Sequence, residues 1–240
     1  MTDFPQLAFS FPHEPDYAGA PFVAAPSNEA ALAWLDRTAD WPDRRLALWG
    51  EPGCGKTHLL HRWARRTGAD WLHGAALRGV PDAPARPLAI DDADGAAEEI
   101  ALFHLLNAAA EAGLPVLLTG RAAPARWPVR LPDLASRLRA ITAVQIAAPD
   151  DTLLRVLLGR LLCERRVPVP EPVQDWMLRR LPRQASAMRE AAALLDNAQL
   201  VAQRPVTRPI AEAFLAPLLT ASDEISRSAP RDEAAMTPLL

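Results

Sequence analysis

The chain has 240 residues, half of them apolar, with 26 basic and 29 acidic side chains and a formal net charge of −3. That length and apolar content can bury one large core, or a medium one with a smaller companion. The near-balanced charge excludes a strongly basic nucleic-acid platform while leaving room for a local basic face. Two cysteines, Cys54 and Cys163, lie far apart with neither zinc nor disulfide spacing. No apolar run reaches the ~18 residues of a membrane span. The expectation is a cytoplasmic protein with no membrane partner.

Residues 1–19 read as an extended, proline-bearing segment with little periodicity. Ser27 then reads as an N-cap for a helix carrying Ala30, Ala31, Trp34 and Leu35 at helical spacing. Leu46–Trp49 is a short apolar strand, Gly50–Gly55 a glycine-bearing turn, and Lys56 to about Arg66 a helix with Leu59, Leu60 and Trp63 on one face. Residues 69–73, Leu88–Ile90, 115–119 and 142–147 read as further strands, with helices at 97–112 and 133–139 between them. This strand–helix alternation predicts an α/β domain over about 20–148, built on a parallel sheet. After Pro149 the pattern turns all-helical, with segments 151–165, 171–181, 184–203 and 207–219 punctuated by prolines. A small helical domain over 149–219 is expected, followed by a disordered polar tail at 220–240.

Two strand ends carry chemistry. Gly50-Glu51-Pro52-Gly53-Cys54-Gly55-Lys56-Thr57 fits G-x-x-x-x-G-K-[ST] between a strand and a helix N-terminus. Glycines let successive N–H groups turn inward, and the helix dipole adds partial positive charge, so the stretch from Gly50 to His58 is a candidate phosphate cradle. Lys56 is the only lysine among the 26 basic residues. It is the group expected to reach the β and γ phosphates, and the Thr57 hydroxyl is the group expected to hold Mg²⁺. Pro52, Cys54 and His58 fall inside the same cradle, with no chemical reason in the sequence for Cys54.

Leu88-Ala89-Ile90-Asp91-Asp92 delivers two acids at a strand end. Behind a phosphate loop, Asp91 is expected to bind Mg²⁺ and Asp92 to polarise an attacking water; alone, such acids are often turn residues or caps. Thr119 ends the next apolar strand, where its hydroxyl either orients water near the γ phosphate or caps a turn.

Ala25-Pro26-Ser27-Asn28-Glu29-Ala30, Gly55-Lys56-Thr57-His58-Leu59 and Ile90-Asp91-Asp92 resemble the DnaA family of AAA+ replication initiators. Leu131-Pro132-Asp133-Leu134-Ala135-Ser136-Arg137-Leu138 is closer still to the Hda family of DnaA-related regulators. The resemblance runs from about residue 4 to 219. It implies an AAA+ P-loop module with a helical lid that binds ADP or ATP with Mg²⁺, in which Thr119 corresponds to sensor 1. It implies that Arg137 crosses an interface into a neighbour's active site, where an arginine finger raises hydrolysis by ~10³–10⁵ in the GTPase template. A surface helical arginine is the plainer reading, as at Arg126 and Arg139. In Ala187-Met188-Arg189-Glu190, the resemblance makes Arg189 the sensor 2 arginine, with Arg183 a nearby competitor.

Hda-family proteins also dock on the DNA polymerase sliding clamp through a short N-terminal segment. Here that segment is residues 6–11, with Gln6, Leu7, Phe9 and Phe11 as contacts; the alternative is an apolar stretch folding back on the domain. No recognition helix or basic cluster follows residue 219, so no sequence-specific DNA reading is expected. The reading is an Hda-like regulator that stimulates ATP hydrolysis by DnaA. The rivals are an autonomous, self-assembling ATPase of the helicase-loader type and a nucleotide-gated clamp adaptor.

Overall fold

In the computed structural model the described residues are 22–95, 97–202 and 204–228. The candidate clamp contacts Gln6, Leu7, Phe9 and Phe11 lie outside them, as do residues 229–240. The chain divides into two compact units that meet in sequence at Leu153 and Leu154.

The first unit holds a five-stranded sheet: β1 (Arg45–Trp49), β2 (Asp70–His73), β3 (Leu88–Asp91), β4 (Val116–Gly120) and β5 (Thr142–Gln145). The strand order is β2-β3-β4-β1-β5, and every pairing is parallel. Helices α1 (Glu29–Asp36), α2 (Lys56–Thr67), α3 (Glu99–Glu111) and α4 (Pro132–Ala140) complete the unit. Successive strand residues point to opposite faces, so β1 feeds two cores at once. Leu46 and Leu48 pack with Leu35, Leu59 and Trp63, while Ala47 packs with Leu102, Leu106, Leu134 and Leu138. A strand buried on both faces has no polar alternation, which is why β1 and β4 read as continuous apolar runs.

Two local details differ from the sequence expectation. The first helix is capped by Asn28 rather than Ser27. The Asn28 side chain accepts from Ala25 N and donates to Val23 O, at 3.0 and 3.1 Å. It therefore locks the incoming loop, and the Ser27 carbonyl accepts from Ala147 N at 3.0 Å instead. The last strand is shorter than expected and ends at Gln145.

The second unit is helical, with α5 (Asp151–Glu164), α6 (Glu171–Leu178), α7 (Ala185–Ala202) and α8 (Arg208–Ser228). Its core gathers Leu158, Trp176, Met177, Ala191, Leu195 and Leu215. The expected tail from 220 needs correction, because α8 runs on to Ser228 through Pro217. The Thr220 hydroxyl donates to Ala216 O and Pro217 O, at 3.1 and 3.0 Å, giving the helix side-chain bonds beside the proline. No helix among the described residues is long and apolar enough to cross a membrane.

Candidate functional site

β1 delivers the chain to Gly50 at its C-terminal end. A Cβ there would lie 2.3 Å from Ile146 O, so only glycine lets the loop pass beside the end of β5. Gly53 and Gly55 have φ of 79° and 107°, the left-handed region in which glycine carries no steric penalty. Gly55 then caps α2 without a side chain. The first N–H groups of a helix have no intrahelical partner, and those of α2 open onto this loop. Phe22 flanks it, meeting the half-buried His58 ring edge-on at 5.2 Å.

Lys56 is 7% exposed. Its ammonium donates to Gly50 O at 2.7 Å and to Glu51 O at 3.0 Å. It also lies 3.9 Å from Cys54 Sγ. A buried cation is costly without such partners; here the loop's own carbonyls hold it over the cradle. Burial pushes the Cys54 thiol above its ordinary range, partly offset by the Lys56 charge. Fewer Cys54 thiolates at neutral pH mean slower alkylation. Exposed Cys163 is therefore expected to react with iodoacetamide before buried Cys54. Peptide mass spectrometry over time checks this, and equal rates would show that the loop opens readily.

The acidic side assembles around Thr119. This side chain is wholly buried, and Asp91 is 4% exposed. The Thr119 hydroxyl donates to Asp91 Oδ1 and accepts from Asp92 N at 2.9 Å. Thr57 Oγ1 donates to the same Asp91 oxygen at 3.3 Å. Two strand ends, those of β3 and β4, and the start of α2 are thereby tied through one hydroxyl and one carboxylate. Asp92, at φ 48°, turns its half-exposed carboxylate toward His73, with Nε2 to Oδ2 at 3.8 Å. Ala75 N donates to His73 Nδ1, so the neutral ring carries its proton on Nε2, facing Asp92.

Thr119→Val keeps the shape and removes both bonds. It is expected to cost about 1–3 kcal/mol, the penalty of a buried donor left unmade. Urea unfolding measures this; unchanged stability would mean that Asp92 N had found another acceptor.

The Thr57 hydroxyl and Asp91 carboxylate are hard oxygen donors of the kind Mg²⁺ takes, with phosphate and water supplying the rest of its shell. No group of three or more His, Cys, Asp or Glu placed for a metal occurs among the described residues.

Arg137 lies elsewhere. It is half-buried on α4, with its guanidinium 5.2 Å from the Phe103 ring centroid. It lines an open cavity of about 520 Å³ with Asp43, Arg45 and Asp133. Arg45 opens β1, whereas Gly50 follows its other end. At ~3.3 Å per residue, the strand separates the two regions by roughly 16 Å. Arg126 and Arg139 are exposed, and Arg139 donates back to Ala135 O of its own helix. Arg183 and Arg189 belong to the second unit, where only Arg189 lies on α7.

Domain III of the replication initiation protein DnaA from Thermotoga maritima is similar to this chain, with a TM-score of 0.68 and 20% identity, covering 87% of this chain and 99% of that one. This is the AAA+ fold. AAA+ relatives of wider kinds superpose as well. AMPPCP-bound DnaA from Aquifex aeolicus gives a TM-score of 0.60 at 18% identity, over 75% of this chain and 65% of that one. A variant of Thermotoga maritima RuvB gives 0.60 at 16%, over 80% and 68%. No family model matches the sequence. Within this AAA+ fold, the structure brings Gly50, Gly53, Cys54, Gly55, Lys56, Thr57, Asp91, Asp92 and Thr119 to one end of the sheet. Sequence reasoning missed His73 and Arg45. A charged first residue on an otherwise apolar strand was the available signal for Arg45.

Proposed function

We propose that this chain is an Hda-like negative regulator of replication initiation, which stimulates ATP hydrolysis by DnaA. Adenine nucleotide, ADP or ATP, binds at Gly50–His58. Lys56 meets the phosphates and Thr57 and Asp91 hold Mg²⁺, while Arg189 of the helical unit serves as sensor 2. The observation that carries the reading is the placement of Arg137. It lies roughly 16 Å along β1 from its own phosphate loop, stacked on a ring, with no carboxylate partner among the ion pairs of the described residues. A guanidinium so placed suits a neighbour's phosphates better than its own. The segment 6–11 tethers the protein to the sliding clamp, an extended peptide in an apolar groove.

The experiment is ATP hydrolysis by DnaA with the clamp loaded on DNA, with and without this protein, using Arg137→Ala and Lys56→Ala as comparisons. Acceleration that requires Arg137 supports the reading. Clamp binding with no effect on DnaA indicates the adaptor instead.

One observation favours a second reading. The Asp91–Thr119–Asp92 arrangement is complete, and the Asp92 side chain is 51% exposed and open to a water. An autonomous ATPase that assembles with its own copies would use the same parts. Steady turnover by the chain alone, without DnaA, would select it.

A further inference from the structure

Arg137 is a cation among acids that has not paired with them. Asp133 stands four residues earlier on α4, a spacing at which opposite charges ordinarily meet, and Asp43 lines the same cavity. Neither forms an ion pair with Arg137 among the described residues. The guanidinium lies over Phe103 instead. Something in the cavity makes the carboxylates the poorer choice.

Arg45 supplies the reason. It is 7% exposed, and its Nη2 donates to Leu106 O at 3.0 Å, which fixes the guanidinium against α3. Burial lowers its pKa, repulsion from Arg137 lowers it further, and attraction to Asp43 opposes both. The loop before β1 places Asp43 in the left-handed region, at φ 48°, with Arg44 beside it at 54°. Two consecutive residues of this kind are uncommon outside glycine and persist only where the surroundings hold them. A fixed buried cation thus shares the cavity with two acids, Asp43 and Asp133, and a second guanidinium.

We infer that Arg45 is a positioning residue for Arg137: across the cavity they share, its buried charge attracts Asp43 and repels the second guanidinium, keeping Arg137 on Phe103 and open to a partner. This rests on Arg137 acting on a neighbour, but the electrostatic arrangement can be tested apart from that role. Without the Arg45 charge, Asp43 captures Arg137, and the open form is depleted by the strength of one partly exposed ion pair, up to about fivefold.

The test uses the full chain and two readouts. Arg45→Gln keeps a donor for Leu106 O and loses the charge; Arg45→Lys keeps the charge and loses the planar fork. Stimulation of DnaA hydrolysis is expected to fall about fivefold in Arg45→Gln, to survive largely in Arg45→Lys, and to recover when Asp43→Asn is added to Arg45→Gln. A merely structural role for Arg45 predicts no such rescue. The second readout needs no partner. Melting-temperature shifts of Asp43→Asn and Arg137→Gln should add in the wild-type background and fail to add in Arg45→Gln. Additivity in both backgrounds overturns the inference. Loss of additivity in Arg45→Gln, together with full stimulation by Arg137→Ala, supports the positioning and removes the DnaA reading instead. If Arg45→Gln does not fold, Asp43→Asn alone decides. Stimulation at the wild-type level agrees with Asp43 being held by Arg45. A rise of about fivefold means that Asp43 already holds Arg137 and overturns the inference.

Discussion

Arg137→Ala is expected to lower the stimulated rate of DnaA hydrolysis by ~10³-fold or more, the range over which an arginine finger acts in phosphoryl transfer. The transferred phosphoryl carries its charge on equatorial oxygens, and little covalent help is available from protein. A guanidinium delivered into that site in a fixed orientation acts where water is excluded and its charge is poorly screened. Arg137→Lys is expected to recover little. An ammonium has neither the planar fork nor the flat face that stacks on Phe103. Arg139→Ala, two residues away and bonded to its own helix, should stay within about twofold of wild type. Phosphate release with DnaA and DNA-loaded clamp measures all three. Equal losses at Arg137 and Arg139 would point to a damaged helix rather than a missing cation.

Gly50→Ala is expected to be the most damaging small substitution in the phosphate loop. The new methyl would sit 2.3 Å from the Ile146 carbonyl oxygen and 3.1 Å from Cys54 Sγ. A backbone oxygen cannot swing aside as a side-chain tip can. Relief therefore requires the loop to lift away from β5, moving the two carbonyls that hold Lys56 as well. Overpacking of this kind costs about 3 kcal/mol or more, a melting-temperature fall of roughly 6–12 °C for a chain of this size. Nucleotide affinity should fall with it, because the same loop shapes the cradle. Gly113→Ala is the comparison. Its φ is also positive, at 63°, but nothing lies within 4 Å of a Cβ there, so only the smaller left-handed penalty of ~1–2 kcal/mol applies. Equal destabilisation of the two variants would show that φ, not the Ile146 contact, governs Gly50.

Much of this was legible because the signals were local. The glycines, Lys56 and Thr57 lie within one strand–turn–helix, and the apolar strands β1, β3 and β4 announce a sheet covered on both faces. Their alternation with helices predicted the parallel sheet, and the resemblance to the DnaA family implied the AAA+ architecture. What was not legible depended on contacts between distant segments. The choice between Ser27 and Asn28 as cap turned on bonds to Val23 and Ala25 that no helix pattern encodes. The bridging role of Thr119 required β3 and β4 to lie side by side, with Ile90 opposite Leu118. Arg45 lay outside the sequence reading; its bond to Leu106 O joins it to α3, sixty-one residues on. The end of α8 was missed because the residues after 219 are polar and small with no core pattern, yet the helix continues to Ser228.

The position of β1 gives the molecule a direction. On the role proposed for Arg137, the phosphate loop at one end of the strand would receive a cation, and the guanidinium that would be delivered stands at the other end. A twofold contact matches both ends at once, because residue i of one copy meets residue j of the other and the reverse, and such a pair closes. A heterologous, head-to-tail contact between the same ends would not close as a pair, and any open row of such contacts would leave one receiving end and one delivering end unmatched. Such a row would read like an arrow, and on the proposed role of Arg137 the protein at its tip would be the one whose hydrolysis the row controls.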